Sequence, residues 1–576
     1  MAERKGSSWA WLAALPVLLA VAFTAYPDVF GRSGPETLPS VKIKQGTVIG
    51  KFVDDGTFPG SLEGFMGIPY AVPPVGERRF RHAEPVGASN ETIEAYYLGP
   101  RCPGIQLVPF LKDPILGPDY ESEDCLTINI WRKKGHTPNK GKLPVAVLIP
   151  GGAFNRGAAR MHNSHTMLAF SEEPYIAVSM QYRIGVFGGL NTELTANEGL
   201  LNLGLKDMYV ALEWVQENIS AFGGDPDDVT IMGLSAAAHG PKKLFHKAIM
   251  DSGAHTARAV HPPNAALNTQ HFRELLDLTP CSHFKNLRDP QILTCLRGLP
   301  SEIVDKAGKE VFRRSDPSIR WAWQPVIDGD VISRRPIEAW KSGKFHRVPI
   351  LTGSAANEGA FYVPQKADKP EDFTGFFREL LPHLTPTEVA ELEKLYPDPS
   401  TNPDSPHLDT RGIPGVGSQY KRLETAYGHY AYTCPVRQTV VWSTYHPNAE
   451  PAYLYHWALN KTALFGANHG DQMRYQTFNR EVREISPAQR EVAGQFHAYC
   501  TSFITKGDPN AIKGKFAHRP EWTPFEDGKG KTMLLGRGND ERAGGTGVGK
   551  AAELVEFTWG DEQCEFWWRV SSKWED

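Results

Sequence analysis

The sequence predicts an α/β fold with a large, mostly parallel central sheet flanked by helices. Three observations carry this. Short apolar runs alternate with helical stretches through the first half of the chain. Two of those runs, Val145 to Ile149 and Ile176 to Tyr182, are apolar enough to be buried strands. The stretch from Leu205 to Phe222 then carries apolar residues on a 3.6-residue period and stops at Gly223-Gly224, which reads as a helix with a glycine end.

Composition allows a large core. Hydrophobic residues make up 41% of the 576, with 54 glycines beside them. Length alone would give about four domains, but large α/β folds exceed that prior, and one domain spanning residues 41–570 is expected. With 62 Lys and Arg against 66 Asp and Glu, the net charge of −4 sets up no strong field for nucleic acid, so neutral or mixed partners are expected. The oligomeric state is not encoded in any motif.

Residues 1–30 stand apart from the fold. Arg4 and Lys5 precede an apolar run from Trp9 to Ala25, and Ala20-Val21-Ala22 offers a small-residue cleavage signal, so a secretory signal peptide and a secreted protein are expected. The run also approaches the roughly 17 to 25 apolar residues of a membrane span, so an uncleaved signal anchor tethering the chain to a membrane is the alternative. An exported chain can use a few disulfides among its seven cysteines, and Cys102 with Cys125 and Cys281 with Cys295 are the natural local pairs. Cys434, Cys500 and Cys564 include at least one unpaired thiol and read as small buried hydrophobes. The sequons at Asn90 and Asn460 are glycosylation candidates, whereas that at Asn218 falls in the expected helix.

After the helix, Gly223-Gly224-Asp225-Pro226-Asp227 makes a turn before the strand Asp228 to Met232. That strand enters Gly233-Leu234-Ser235-Ala236-Ala237, which reads as a nucleophile elbow altered just after its serine. Ala237 stands where the pattern has its second glycine, and the nearby Pro241 limits the following helix to about one turn, on the order of 5 Å. Phe245 to Met250, Pro349 to Thr352 and Tyr453 to Trp457 read as further strands, and Gln270 to Leu278 and Pro386 to Tyr396 as helices. Asp398 to Pro406 and Gly536 to Gly549 are loop-rich.

A serine hydroxyl is a poor nucleophile at neutral pH. It needs a histidine base, an acid that orients the base, and donors for the oxyanion. The donors are sought in Pro150-Gly151-Gly152-Ala153-Phe154, directly after a strand, where glycines let backbone N–H groups face a developing negative charge; a tight structural turn is the simpler meaning. Glu358, after the strand Pro349 to Thr352 and a turn at Gly353-Ser354, is the acid candidate. His469, in the glycine-flanked loop after the strand around Tyr453, is the base candidate. The order serine, acid, histidine is that of α/β-hydrolases.

Further blocks are more specific. Gly67-Ile68-Pro69-Tyr70-Ala71, Pro73-Pro74-Val75-Gly76, Glu123-Asp124-Cys125-Leu126-Thr127-Ile128-Asn129-Ile130, Gln181-Tyr182-Arg183-Ile184-Gly185-Val186-Phe187-Gly188 and Phe222-Gly223-Gly224-Asp225-Pro226 occur in that order. From about Val41 to Trp567 the chain thereby resembles the type-B carboxylesterase family, the carboxylesterase and cholinesterase group of α/β-hydrolases. The resemblance implies that Ser235 is the nucleophile, Glu358 the orienting acid and His469 the general base, with Gly152, Ala153 and Ala236 giving the oxyanion N–H groups. It also implies disulfides Cys102–Cys125 and Cys281–Cys295, and a supporting role for Ser252, beside which Asp251 replaces the usual glutamine or glutamate. Family members carry a longer segment between Ala237 and Lys242.

The leading expectation is an exported carboxylic ester hydrolase, acting through an acyl-enzyme on an uncharged or lipophilic small-molecule ester and using no cofactor. The alternative is a catalytically impaired or inactive binding or adhesion protein on the same scaffold, for which the altered elbow speaks. The P-loop-like Gly544 to Ala551 lacks the serine or threonine that holds magnesium and any preceding apolar strand, so it reads as a surface loop. No H-E-x-x-H or paired cysteine and histidine cluster points to a metal. Trp321-Ala322-Trp323 is read as core, with pocket lining as the alternative.

Overall fold

The computed structural model describes residues 37–107, 113–235, 244–257, 260–314, 320–543, 549–556 and 560–574. Residues 1–30, read above as a signal peptide or signal anchor, Ala236 to Lys243 behind the serine, and Gly544 to Val548 of the glycine-rich stretch therefore lie outside the described residues.

In chain order the strands are β1 (Ser40–Ile43), β2 (Gly46–Ile49), β3 (Lys51–Val53), β4 (Leu62–Pro69), β5 (Thr92–Glu94), β6 (Thr127–Lys133) and β7 (Leu143–Ile149). They continue with β8 (Ile176–Met180), β9 (Gly224–Leu234), β10 (Lys247–Asp251), β11 (Ile350–Ala355), β12 (Ala452–Trp457), β13 (Lys531–Leu535) and β14 (Ala552–Glu556). β1, β2 and β5 form a small sheet, and among the described residues eleven strands form the large one, in the order β14-β13-β12-β11-β10-β9-β7-β8-β6-β4-β3. The block from β8 to β13 is parallel throughout, with antiparallel pairings only at its two flanks. This is the α/β-hydrolase architecture that the sequence predicts.

The apolar runs explain why the sheet is covered on both faces. Along β7, Val145, Val147 and Ile149 share one core with Val178, Ile231 and the helix Leu203–Asn218, which presents Met208, Leu212 and Val215. The alternate residues Ala146 and Leu148 share the other core with Met232, Leu351 and the helix Pro487–Lys506, which presents Phe496 and Phe503. Each fully buried large apolar side chain contributes roughly 1.5–3 kcal/mol.

Several boundaries differ from the sequence reading for local reasons. The expected helix Leu205 to Phe222 is α-helical over Leu203–Asn218 and tightens into a 3-10 turn over Ile219–Phe222, closed by Gly223 at φ 91°. Gly353-Ser354 is not a turn: β11 runs on to Ala355 in register with Trp457, because Gly353 lies flat under the Tyr455 ring, where an added Cβ would stand 2.3 Å from it. β10 begins at Lys247 rather than Phe245. Trp321, Ala322 and Trp323 are buried in a core with Phe187 and Phe312.

Disulfides join Cys102 to Cys125, Cys281 to Cys295 and Cys434 to Cys564, leaving Cys500 buried and free. The unpaired thiol expected among the last three cysteines is Cys500, whereas Cys434 and Cys564, read as small buried hydrophobes, form a disulfide: they are 130 residues apart and meet only through tertiary packing. Asn90 is exposed, Asn460 donates from Nδ2 to Asp540 Oδ1 at 3.0 Å, and Asn218 is buried with its Nδ2 donating to Trp214 O. Among the described residues no helix is long and apolar enough to cross a membrane, and no cluster of three His, Cys, Asp or Glu side chains is placed to hold a metal ion.

Candidate active site

Strands β7, β9, β10, β11 and β12 are adjacent and parallel, so the loops leaving their carboxyl ends open on one edge of the sheet. Those loops carry Gly151-Gly152-Ala153, Ser235, Ser252-Gly253, Glu358 and His469 respectively. In open α/β sheets, the crevice outside the strands' carboxyl ends is where ligands bind.

β9 ends at Leu234, and Ser235 turns into the left-handed region with φ 68°, a conformation that costs free energy for a residue with a Cβ. Its N–H donates to Asp251 O at 2.8 Å. The turn sits so close to β10 that a Cβ on Gly253 would stand 2.9 Å from the Ser235 carbonyl carbon. Among the described residues Ser235 Oγ has no hydrogen-bond partner, and Ala236, expected to give an oxyanion N–H, lies outside them.

The loop after β7 holds three successive left-handed residues, Gly152 at φ 126°, Ala153 at 52° and Phe154 at 60°. Its compactness requires glycine: a Cβ on Gly151 would stand 2.1 Å from Leu234 O, beside the serine turn. The Gly152 carbonyl accepts from the Asn155 and Arg156 N–H groups, and the Ala153 carbonyl from Asn155 Nδ2 and Gln324 Nε2, at 2.9–3.1 Å. With these carbonyls tied back, the Gly152 and Ala153 N–H groups have no acceptor among the described residues.

Glu358 is buried. Its Oε1 accepts the Ala355 N–H at 2.6 Å and its Oε2 meets His469 Nδ1 at 2.6 Å. The two loops are stitched together: Asn357 N–H donates to Ala467 O, Ala467 N–H donates to Asn357 Oδ1, and Asn357 Nδ2 donates to the buried Glu424 Oε1. Tyr432 and Tyr362 pack on the His469 ring, at 4.5 and 5.5 Å between centroids. Commitment of Nδ1 to Glu358 leaves Nε2 as the free ring nitrogen. Gly470 brings this loop against the serine turn, since a Cβ there would stand 3.1 Å from Leu234 Cδ2. Nearby, burial lowers the His456 imidazole to about 4, against the pull of the Glu358 charge.

Behind these loops lies a buried polar layer that sequence reasoning touches only at Asp251-Ser252. Gln472 Nε2 donates to Ser252 Oγ, Tyr455 O–H donates to Asp251 Oδ1, and Gln476 Nε2 donates to Asp251 Oδ2. Tyr362, Tyr432, Glu424 and Gln472 carry no motif, and their roles follow from tertiary placement alone.

A model of the carboxylesterase family matches residues 37–567. Secreted lipase 4 of Gibberella zeae is 31% identical over 494 residues, covering 83% of this chain and 85% of that protein. Human carboxylesterase 5A is 33% identical over 393 residues, 65% of this chain and 62% of that protein. The crystal structure of Aspergillus niger EstA superposes with a TM-score of 0.77 at 25% identity, over 94% of this chain and 99% of that one. With the fold, the loop order and the family match in agreement, the chain belongs to the carboxylesterase family, a family of ester hydrolases on the α/β-hydrolase fold.

Proposed function

We propose that the chain hydrolyses carboxylic esters through an acyl-enzyme, with Ser235 as nucleophile, His469 as general base and Glu358 as the acid that orients it. The observation that carries this is the 2.6 Å bond from buried Glu358 to His469 Nδ1, on loops that converge on a strained serine turn. Ser235 Oγ attacks the ester carbonyl while His469 Nε2 takes its proton. The same nitrogen returns that proton to the leaving alkoxide, and water, activated in turn by His469, releases the acid. The Gly152 and Ala153 N–H groups, joined by that of Ala236, would receive the oxyanion; one such donor is typically worth about 100- to 1000-fold in rate. Glu358 keeps the histidine in the tautomer that accepts at Nε2.

The substrate class proposed is an uncharged or lipophilic ester, consistent with relatives named lipase and carboxylesterase. Residues 1–30 as a cleaved signal peptide and 41–570 as a single hydrolase domain belong to the same proposal. Three disulfides fit an oxidising compartment, and two of the similar fungal proteins are named secreted lipases. Hydrolysis of a short p-nitrophenyl ester by the purified full chain tests the reading. Turnover abolished by Ser235→Ala supports it, whereas a folded protein without turnover favours a binding scaffold.

A further inference from the structure

Asp251 is the residue at which the family resemblance departs from its pattern beside Ser252, and its surroundings are unusual. Its carboxylate is completely buried, and among the described residues it faces no cation. Tyr455 O–H on β12 donates to Oδ1 at 2.5 Å, and Gln476 Nε2 donates to Oδ2 at 3.1 Å. The remaining ionisable neighbours are Glu358 after β11 and the buried Cys500 thiol on the helix Pro487–Lys506. The Asp251 main-chain carbonyl accepts the Ser235 N–H, and Ser252, the residue after β10, donates its N–H to Gly353 O of β11. One residue thus joins the nucleophile turn, β12 and the helix Gln472–Gln476.

We propose that Asp251 is a positioning residue for the hydrolytic centre: its carboxylate anchors the strand end that holds Ser235 and places a second buried negative charge behind the Glu358–His469 pair. The inference rests on the triad reading above. Its physical content is that a charge in a poorly solvated interior acts over a longer range than one in water. An ionised Asp251 favours the imidazolium that His469 becomes in the transition state. Burial, reinforced by the Glu358 charge, holds the Asp251 carboxyl up at about 6 despite the hydrogen bonds from Tyr455 and Gln476, so the charge is present at neutral pH.

The layer allows a clean substitution. Gln476 Oε1 is buried without a hydrogen-bond partner. In Asp251→Asn, Tyr455 O–H can still donate to the amide oxygen, and a flipped Gln476 side chain can accept from the new amide N–H. The charge is removed while both side-chain hydrogen bonds at position 251 and the Ser235 N–H acceptor survive, and only the 3.5 Å contact of Gln476 Nε2 with Cys500 Sγ is given up. Asp251→Glu restores the charge with a residue the family resemblance accommodates.

The test measures two quantities on the full chain for wild type, Asp251→Asn and Asp251→Glu. One is the pH profile of kcat and kcat/KM on a short activated ester; the other is the pH titration of the Nδ1 proton of His469 on Glu358, followed by proton NMR and independent of turnover. Asp251→Asn is expected to lower kcat about three- to tenfold with KM little changed, and to move the acidic limb and the His469 titration down by about half to one pH unit. Asp251→Glu is expected to return both toward wild type. If Asp251→Asn fails to fold, Tyr455→Phe removes a donor that stabilises the ionised carboxylate, raises the Asp251 carboxyl further and lowers its charged fraction near neutral pH, so it is expected to shift the His469 titration in the same direction by less. A folded variant with the His469 titration unmoved overturns the proposal. If the wild type has no turnover while the titration still shifts in Asp251→Asn, the hydrolase reading fails and the electrostatic coupling stands.

Discussion

At the residue scale, the centre depends on a few atoms whose removal has a calculable effect. Glu358→Gln keeps the side chain's shape but lets the glutamine N–H face His469 Nδ1, stabilising the wrong tautomer. A loss of about 1000-fold or more in kcat with the fold retained is expected, measured by ester hydrolysis beside circular dichroism. Asp251 gives a prediction of the opposite sign for stability. Its carboxyl is raised from 3.8 to about 6 on folding, so the stability it contributes is full below the unfolded value and is lost as pH rises through the folded one. At pH 7 its charge therefore costs stability, on the order of 3 kcal/mol. Asp251→Asn is expected to raise the melting temperature at pH 7 and to lose that advantage near pH 4, by calorimetry at both values.

At the scale of elements, the glycines where loops meet strands hold the parts of the centre together. Gly151 lies against Leu234 O, and no rotamer change relieves the 2.1 Å contact that a Cβ would make with a backbone atom. Gly151→Ala is expected to displace the serine turn or the loop after β7 proposed to receive the oxyanion, and to reduce kcat at least about 100-fold, since a shift of roughly 1 Å already has that effect. The strands here were legible because apolar runs such as Val145 to Ile149 have no other stable place, and the β7, β9 and β12 loops were legible as candidates because Gly151-Gly152 opens the first, Gly233 precedes Ser235 and Gly470 follows His469. Gly353 misled for the converse reason: a mid-strand glycine that makes room for an aromatic ring looks the same in sequence as a turn. Tyr432 could not be read at all. It reaches His469 from a five-residue π-helical segment, His429–Thr433, that no periodicity announces.

For the molecule from Ser40 onward, pH sensitivity follows from the histidines more than from the active site. His162, His165 and His497 are buried and His429 and His456 partly buried, and loss of hydration lowers each to about 4. A depressed histidine contributes stability that is present above its unfolded value of 6.5 and lost as pH falls toward the folded one. Their effect runs against that of Asp251 and of Asp124, Asp305, Glu424 and Asp471, whose carboxyls burial likewise raises, and five large downward shifts outweigh it. The melting temperature is expected to fall steeply between pH 6.5 and 4, as scanning calorimetry across that window would show. The overall fold was legible because a parallel sheet imposes its order on the sequence. The Cys434–Cys564 bond was not, because 130 residues separate its ends and only the packed fold brings them together.

The central claim is that Ser235 is an activated nucleophile even though the segment after it departs from the family pattern. The most direct measurement is reaction of the full, folded chain with a fluorophosphonate probe, with the adduct located by peptide mass spectrometry. The predicted result is one adduct on Ser235, absent in Ser235→Ala and formed much more slowly in His469→Ala. A folded protein in which Ser235 stays unmodified would contradict the account.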